Sequence, residues 1–435
     1  MRRLRAAVAL LTLATLACSV LAPRPPATAT PAPTDTALPT ATPAPTDTAV
    51  PPTETLAPSD TPAPTDTPAP TATLAPSDTA APAATDTVSP SASEASQLSF
   101  LAYVQNGQLL VTNVTGGVVG GTTQYTAQGV NDGVYDLVWS PDGQYIAYAA
   151  TPGNGDSHIY VVYAVGAGTP VDLGTGSAPS WSPDSKTVVF VHDRNVTISP
   201  IDTPQPKALT SETGWGWGRP VFTPAGDALV VSGQPISNMG AQGNTEFTLD
   251  TLPLDGSGTL TPLPGFSQPV QGMLPYELRF SPDGQKLAFS TDWHVSACAS
   301  TGNYYAGNAD GSNLTQLGSQ KLRDLLQPNA EYYDIERGFA WQPDSNGLLL
   351  AGLVVDCTNF NGTPLGAVLS RVDLTGHETV LADGDYSSPS YDRSGDLIAV
   401  EQGGEDGSDG TVELLDAAGK PLATVGPGSR PAFEP

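Results

Sequence analysis

A short motif recurs along the chain and limits the fold more than any other sequence feature. It has the form aromatic-Ser-Pro-Asp-Gly, with some variation, and its copies contain the aromatic residues Trp139, Trp181, Phe222, Phe280, Trp341 and Tyr391. Pro and Gly at the second and fourth positions of Ser-Pro-Asp-Gly suit a type I turn, and the Ser hydroxyl can accept a hydrogen bond from the turn backbone. A β-rich run follows each copy, such as 145–148 or 286–289. Each copy therefore predicts a strand, a tight turn and a second strand.

Each repeat also contains a third strand and a weaker fourth strand, as at 159–162 and 207–210. Four short antiparallel strands in a repeat of about 40 to 60 residues are typical of a β-propeller blade. The motif resembles the TolB-type propeller repeat, the Pro-Asp relative of the WD repeat. This resemblance covers residues 98–435 and implies an all-β propeller. It leaves the function open, because the repeat occurs in binding proteins, assembly factors and noncatalytic domains of peptidases.

The spacing of the motif predicts the number of blades. Successive motif aromatics are 42, 41, 58, 61 and 50 residues apart, and Phe433 lies 42 residues after Tyr391. The segment around Phe433 is therefore predicted to be the first strand of a further blade, whose second and third strands are 99–103 and 108–112. We expect a seven-bladed β-propeller of four-stranded antiparallel sheets, closed by the C-terminal strand and the N-terminal hairpin, because this join leaves no free sheet edge at the ends. Six or eight blades are the alternatives.

The first 18 residues have the features of an export signal. Three arginines precede an apolar run from Ala6 to Ala17, which is too short to span a bilayer as a permanent helix. The sequence Thr15-Leu16-Ala17-Cys18 resembles the lipobox of bacterial lipoproteins, and this resemblance implies that Cys18 is lipidated and that the lipid is the only membrane contact. Thr15 stands where Leu is the usual residue. Plain cleavage that releases a secreted protein is the alternative.

Residues 19–96 are predicted to form a disordered stalk. They are almost all Pro, Thr, Ala and Ser, and they contain too little apolar surface to offset the entropy of ordering. Their prolines favour polyproline II at about 3.1 Å per residue, so a fully extended stalk would reach on the order of 200 Å. The threonines are candidates for O-glycosylation, with an unmodified spacer as the alternative. We expect an exported protein, lipid-anchored in the bacterial cell envelope, with the propeller in residues 97–435 facing outward.

The net charge restricts the partners of the propeller. The formal charge of the whole chain is −27, and residues 97–435 carry 36 acidic and 13 basic side chains. A domain this acidic repels phosphate backbones, so we expect no nucleic acid partner. The same acidity also keeps an extracellular domain soluble.

Two cysteines remain beyond Cys18. Cys298 and Cys357 follow their motif aromatics by 18 and 16 residues, which are matching places in consecutive repeats. In an oxidising compartment we expect a disulfide between them, with two free thiols as the alternative. The four histidines are scattered without metal-ligand spacing. We therefore predict neither a metal site nor another cofactor.

The third, fourth and fifth copies of the repeat are longer than the others. Their extra residues lie between the second and third strands, at about 232–246, 291–303 and 353–365, and before the next first strand, at about 263–277 and 318–338. Both kinds of connection leave a propeller on the same face, because successive strands alternate in direction. We call this face the insertion face. Insertions concentrated on one face are typical of a binding face.

The insertion face is predicted to carry aromatic rings and carboxylates, which suit a peptide, a protein or a polysaccharide. The candidate ligand-binding residues are Trp215, Trp217, Trp293, His294, Tyr332, Tyr333, Asp136, Glu277 and Asp334. Asp136 and Glu277 each precede a motif aromatic by three residues, which favours a position at the mouth of the central channel. A cation held there is an alternative without support from a calcium-loop motif. For the aromatic rings, the alternative is that they fold down over hydrophobic loop cores.

The sequence offers little support for catalysis. It contains no Gly-x-Ser-x-Gly elbow, no His-Glu-x-x-His helix and no phosphate-binding loop, and we assign no catalytic residue. We expect a monomeric binding or scaffold module that recognises its partner at the insertion face. One alternative is a carbohydrate-active enzyme that cleaves glycosides with a pair of loop carboxylates. Another is a structural spacer that binds nothing.

Overall fold

The structure is a computed structural model, and it describes residues 98–125, 133–151, 155–166, 168–211, 214–236, 246–266, 270–271, 275, 277–294, 300–327, 332–358, 362–404 and 410–435. Within these ranges the backbone alone is described at 270–271, 292–294, 300–301, 332 and 336. The predicted signal peptide and stalk lie outside the described residues. In the described ranges, no helix has the length and apolar character needed to cross a bilayer.

The described strands form seven antiparallel sheets, which we number as blades 1 to 7 around the ring. Blade 1 begins with β1 (Leu98–Gln105), β2 (Gln108–Thr115) and β3 (Val118–Gln124). Blade 2 contains β4 (Val134–Trp139), β5 (Tyr145–Ala150), β6 (His158–Tyr163) and β7 (Val171–Thr175). Blade 3 contains β8 (Ser177–Trp181), β9 (Thr187–His192), β10 (Asn195–Pro200) and β11 (Lys207–Ala208).

The next two blades belong to longer repeats. Blade 4 contains β12 (Trp215–Trp217), β13 (Val221–Phe222), β14 (Ala228–Pro235), β15 (Glu246–Pro253), β16 (Thr261–Pro262) and β17 (Val270–Gln271). Both β12 and β13 pair with β14, and both β16 and β17 pair with β15. Blade 5 contains β18 (Leu278–Phe280), β19 (Lys286–His294), β20 (Ser300–Asn308) and β21 (Thr315–Leu317).

A single turn of helix, α1 (Gln320–Arg323), follows blade 5. Blade 6 contains β22 (Tyr332–Trp341), β23 (Gly347–Asp356), β24 (Thr363–Asp373) and β25 (Glu378–Asp383). Blade 7 contains β26 (Tyr386–Tyr391), β27 (Leu397–Gln402), β28 (Thr411–Asp416) and β29 (Pro421–Pro427), and the last strand, β30 (Ser429–Phe433), joins blade 1. The innermost strands of neighbouring blades contact one another, for example β4 with β8 and β22 with β26.

The C-terminal strand closes the ring as the spacing of the motif predicts. Leu101 of β1 pairs directly with Phe433 of β30. The backbone N–H of Phe433 donates to Ser390 Oγ in blade 7 at 2.9 Å, and the indole N–H of Trp139 in blade 2 donates to the Ala432 carbonyl at 2.8 Å. Blade 1 therefore contacts both of its neighbours. The prediction of a seven-bladed propeller closed by a C-terminal strand and an N-terminal hairpin is confirmed, and six or eight blades are excluded.

The hydrophobic core is divided among the spaces between neighbouring blades. Phe247 of blade 4 packs against Phe289 of blade 5, with ring centroids 6.0 Å apart, in one of these clusters. Because each blade packs against two neighbours, its middle strands are buried on both faces, and they are apolar without alternation. β23 is buried along almost its whole length, whereas the outermost strand β3 is mostly exposed.

The Pro-Asp turn is held by hydrogen bonds that the motif supplies itself. In blade 2 the Gly143 N–H donates to the Ser140 carbonyl at 2.9 Å, and the Tyr145 N–H donates to Ser140 Oγ at 2.9 Å. Ser140 Oγ in turn donates to the Asp142 carboxylate at 2.6 Å. Gly143 has a φ of 69°, which a side chain would disfavour. The predicted turn is therefore a local structure that each repeat specifies from five residues.

Two copies of the motif have Ser in place of this Gly, and the serine links adjacent blades. Ser185 and Ser345 both have a φ of 60°, a strained value for a residue with a side chain. Their hydroxyls accept hydrogen bonds of 3.1 Å from the backbone N–H of Asp142 and Asp283 in the preceding blades. The interblade bond offsets the backbone strain at these two positions.

The insertions of blades 5 and 6 extend strands instead of forming irregular loops. The residues predicted as insertions at 291–303 and 353–365 lie largely in the β19–β20 and β23–β24 hairpins, where Trp293 pairs with Thr301 and Val355 with Pro364. A hairpin satisfies backbone N–H and C=O groups that a loop would leave to water. The insertion face therefore carries one hydrogen-bonded hairpin at blade 5 and another at blade 6.

Candidate functional site

A pocket of about 170 Å³ opens between blades 5 and 6, in the half of the blades nearest the insertion face. It is comparable with the ~150 Å³ cavity that admits a benzene molecule in an engineered protein, so it has room for a group about one ring in size. The polar residues that line it are Asn303, Gln316, Ser319, Arg323 and Asp334. We call it the Asp334 pocket.

Asp334 of β22 places a carboxylate in this pocket. Burial raises the pKa of Asp334 to about 6, against the opposing effect of the Arg323 guanidinium. Among the described residues, no side chain or backbone N–H donates a hydrogen bond to this carboxylate. Partial burial of a carboxylate that has no donor is costly to the fold, and groups with shifted pKa values are concentrated at functional sites.

The helix α1 forms one wall of the pocket, and three hydrogen bonds fix its position. Ser319 Oγ accepts from the Leu322 N–H at 3.1 Å and caps the helix. The Glu378 carboxylate of β25 accepts from the Lys321 N–H at 3.0 Å and from the Ser370 hydroxyl at 2.7 Å. Leu322 is buried between the helix and blade 6. These contacts place α1 against β23 and β24.

Arg323, at the end of α1, is the second charged group of the pocket. Its guanidinium donates to the Gly318 carbonyl at 3.1 Å, which folds the side chain back along the wall. It is close enough to lower the pKa of Asp334, but the two side chains form no ion pair in the described part of the structure. The pocket therefore presents a carboxylate and a guanidinium that are not bonded to each other.

Gly352 of β23 keeps the space in front of Asp334 open. A β-carbon at this position would lie 3.1 Å from Leu322 Cδ1 and 3.9 Å from Asp334 Oδ1. Any larger side chain would extend into the pocket or displace Leu322. The absence of a side chain at this position is therefore a condition for the pocket.

Asp136 lies in β4, the innermost strand of blade 2. Both of its carboxylate oxygens accept hydrogen bonds from Arg219 Nη2, at 2.6 and 2.7 Å, and Arg219 Nη1 donates to the Pro179 carbonyl at 2.6 Å. The two charged side chains are 18% and 16% exposed. Burial opposes the charge of Arg219, but Asp136 and Glu277 together outweigh burial and raise the pKa of Arg219. Arg219 thus links blades 2, 3 and 4. It also binds both carboxylate oxygens of Asp136, which a cation at this position would need as ligands.

Glu277, the second carboxylate in this register, also has protein partners. It accepts from Arg279 at 3.1 Å and from the backbone N–H of Phe339 in blade 6 at 3.4 Å. Its charge contributes to the raised pKa of Arg219. The structure therefore groups Glu277 with Arg219 and Asp136, whereas Asp334 lines a separate pocket.

The candidate tryptophans of blade 4 form part of the core between blades 3 and 4. Trp217 is 8% exposed, and its indole N–H donates to the Arg194 carbonyl at 2.9 Å. Trp215 is half-buried and stacks on Trp217 with ring centroids 6.0 Å apart. Both rings cover Gly233, where a β-carbon would lie 2.9 Å from Trp217. This is the arrangement given above as the alternative, in which the rings fold down over a hydrophobic core.

The other candidate aromatics are distributed over two hairpins. Trp293 and His294 end β19, and Tyr332 begins β22 opposite Asp356; only their backbone is described. Tyr333 packs against Leu353, Val355 and Cys357. Tyr333 does not line the Asp334 pocket.

Cys357 is buried and forms a disulfide. Cys298, its predicted partner, lies outside the described residues. Within the described part of the chain, no group of three or more His, Cys, Asp or Glu side chains is arranged to hold a metal ion.

Sequence reasoning missed Arg219, Arg323 and Gly352. Arg219 precedes Phe222 by three residues, the same offset that singled out Asp136 and Glu277, so its proximity to them was available from the motif. Arg323 and Gly352 carry no such signal. Arg323 and Gly352 line the same pocket only because the single helical turn of α1 packs against β23 of blade 6.

These features define the chain as a seven-bladed β-propeller with one polar pocket described between blades 5 and 6. No family model and no curated protein matches it. Among solved structures it is similar to TolB from Acinetobacter baumannii, with 18% identity and a TM-score of 0.42 over 78% of this chain and 67% of that one. It is also similar to an oligogalacturonate lyase from Vibrio parahaemolyticus, with 14% identity and a TM-score of 0.48 over 76% and 84% of the two chains. A puromycin hydrolase aligns with 19% identity and a TM-score of 0.45 over 64% and 45%. These similarities are too remote to transfer an activity or a ligand.

Proposed function

We propose that the chain is an exported bacterial lipoprotein whose propeller binds a peptide, a protein or a glycan at the insertion face. Cys18 carries the lipid that anchors it in the cell envelope, residues 19–96 form the stalk, and the propeller faces outward as a monomer. The observation that carries the binding part of this proposal is the Asp334 pocket, in which a carboxylate without a described donor faces a concave space.

Three properties of the pocket favour a binding role. It is concave, its floor is apolar, and a few polar groups converge on it, as in most small-ligand sites. It lies between two hairpins that the insertions lengthen, β19–β20 and β23–β24. A partner that places one residue or one sugar in the pocket would contact these hairpins with its remaining parts.

Binding is favoured over glycoside cleavage by the number of carboxylates. Glycosidases use two of them flanking the scissile bond. Asp334 is the one carboxylate among the described residues that line the pocket. The raised pKa of Asp334 would suit a general acid, but a single acid without a nucleophile or a base does not complete the reaction.

Array binding of the full-length protein tests the proposal. Glycan and peptide arrays are probed with the wild type, with Gly352→Val to fill the pocket, and with Gln285→Ala as a control on the opposite, Pro-Asp turn face, where Gln285 is exposed. We expect the wild type and Gln285→Ala to retain the same ligand and Gly352→Val to bind it at least tenfold more weakly. A wild type that retains nothing, or a Gly352→Val variant that binds fully while its circular dichroism matches the wild type, contradicts the proposal.

The lipid anchor is tested separately, by growing expressing cells with an alkyne-labelled fatty acid. We expect label on the wild type and on Cys357→Ser, and none on Cys18→Ser, which should leave the membrane fraction. An unlabelled wild type in the soluble fraction would instead support plain signal cleavage.

A further inference from the structure

We propose that the Asp334 pocket binds a free α-amino acid, with its ammonium group at Asp334 and its carboxylate at Arg323. This inference goes beyond the proposed function, because it assigns a second class of ligand to the pocket on which that function rests. It starts from the two opposite charges that line one small cavity and are not bonded to each other.

The two charges have different protein contacts. Arg323 keeps one hydrogen bond to the Gly318 carbonyl, which orients the guanidinium and leaves its other N–H groups for an acceptor. Asp334 has acceptor oxygens and no described donor. A ligand that carries a donor cation at one end and an acceptor anion at the other would satisfy both groups at once. An ammonium and a carboxylate on one carbon atom form the smallest ligand of this kind.

Ligands with a single charge fit the pocket less well. A cation at Asp334 would be repelled by Arg323, and it would leave the guanidinium without an anion. An anion at Arg323 would be repelled by Asp334 and by the acidic domain, in which acidic residues outnumber basic ones by 36 to 13. A zwitterion has no net charge to oppose the field of the domain.

The floor of the pocket sets the size and polarity of the ligand side chain. Leu322, Leu350 and Val368 line it and are all buried. The volume of about 170 Å³ admits a small aliphatic amino acid but no long side chain in addition to the two charged groups. A sugar ring is less well matched, because sugars prefer aromatic faces, and the one aromatic residue of the described lining, Tyr304, is 4% exposed.

Calorimetric titration of the full-length protein with L-valine tests the inference, with N-acetyl-L-valine and L-valinamide as probes that each lack one charge. We expect L-valine to bind and each analogue to bind at least tenfold more weakly. Asp334→Asn and Arg323→Gln should each lower the affinity for L-valine at least tenfold. Arg323→Lys should lower this affinity less than Arg323→Gln does. Lys321→Gln is the matched control on the same helix, since Lys321 pairs with the exposed Asp383 and does not line the pocket. It should bind as the wild type does.

The outcomes separate this inference from the proposed function. L-valine binding that depends on Asp334 and Arg323 supports the inference, whether or not an array ligand is found. An array ligand that is lost in Gly352→Val, with no heat from L-valine, L-alanine or L-leucine, overturns the inference and leaves the proposed function standing. L-valine binding that the acetylated analogue matches, or that both pocket variants retain, also overturns it.

Discussion

Arg219 and Asp136 lie 83 positions apart in sequence and form two hydrogen bonds, of 2.6 and 2.7 Å, between the inner ends of blades 4 and 2. Blade 3 lies between these blades and contributes the Pro179 carbonyl to the same guanidinium. The pair therefore spans three of the seven blades. Because both side chains are largely buried, the loss of either one leaves the other desolvated without its counter-charge.

Removing one member of this pair is expected to be costly. Asp136→Asn and Arg219→Met should each lower the free energy of unfolding by about 3–5 kcal/mol. The double variant Asp136→Asn/Arg219→Met should lose much less free energy of unfolding than the sum of the two single variants, because it leaves neither charge of the pair without its partner. Urea denaturation of the three variants measures these values. The exposed pair Lys321–Asp383 supplies the control, and Asp383→Asn should cost about 1 kcal/mol or less. Additive losses in the double variant would mean that the two charges are not coupled.

Asp334 predicts a pH-dependent stability. Its pKa rises from 3.8 to about 6 on folding, so the folded state holds the proton more tightly than the unfolded chain does. The contribution of Asp334 to stability is therefore lost mainly as the pH rises from about 4 to 6, and the full loss of about 3 kcal/mol is reached near pH 7. Asp334→Asn cannot ionise, so its stability relative to the wild type should rise by about 2–3 kcal/mol between pH 4 and pH 7, as measured by urea denaturation at each pH. A difference between the two proteins that is the same at both pH values would show that the carboxylate is not desolvated.

The closure of the ring gives a third prediction. Phe433 is 5% exposed and packs in the cluster shared by blades 1 and 7. Phe433→Ala should cost about 3–5 kcal/mol, the range for truncation of a buried Phe. Leu98→Ala removes a side chain that is 51% exposed at the far end of β1, and it should cost about 0.5 kcal/mol or less. Denaturant unfolding compares the two variants. Similar losses would imply that β30 contributes no more than a surface strand.

The fold was predictable because its information is local and repeated. Ser140, Asp142 and Gly143 specify one turn from side-chain chemistry, and each further copy of the motif specifies another. The strand at Phe433 followed from the spacing alone. The hairpin form of the insertions at 291–303 and 353–365 was not predictable from the repeat, because an insertion breaks the pattern on which the strand assignment rested.

The pocket was predictable only in part. Asp334 is among the candidate residues, but the sequence groups it with Tyr333, Trp215 and Trp217, which do not line the pocket. Burial raises the pKa of Asp334, and Arg323 opposes this rise. Arg323 lies in the connection between blades 5 and 6. Arg323 and Asp334 come close only because Leu322 packs against blade 6. Neither the periodicity nor the composition of the sequence predicts that packing. Trp217 shows the converse, since the sequence places it among the candidate ligand-binding residues of the insertion face and the structure buries its ring against Gly233.

Cys357 gives the last prediction. It is disulfide-bonded, and Cys298 is the partner that the matching positions in consecutive repeats predict. Mass spectrometry of the non-reduced, proteolysed protein should therefore find one cross-linked peptide containing both residues. Reduction, or Cys298→Ser, should lower the free energy of unfolding by about 2–4 kcal/mol, because the crosslink no longer restricts the unfolded chain. Reductant should have no further effect on Cys298→Ser, which is the control for nonspecific effects of the reagent. If alkylation before reduction modifies Cys298 in the folded protein, Cys357 has another partner and the two hairpins are not linked covalently.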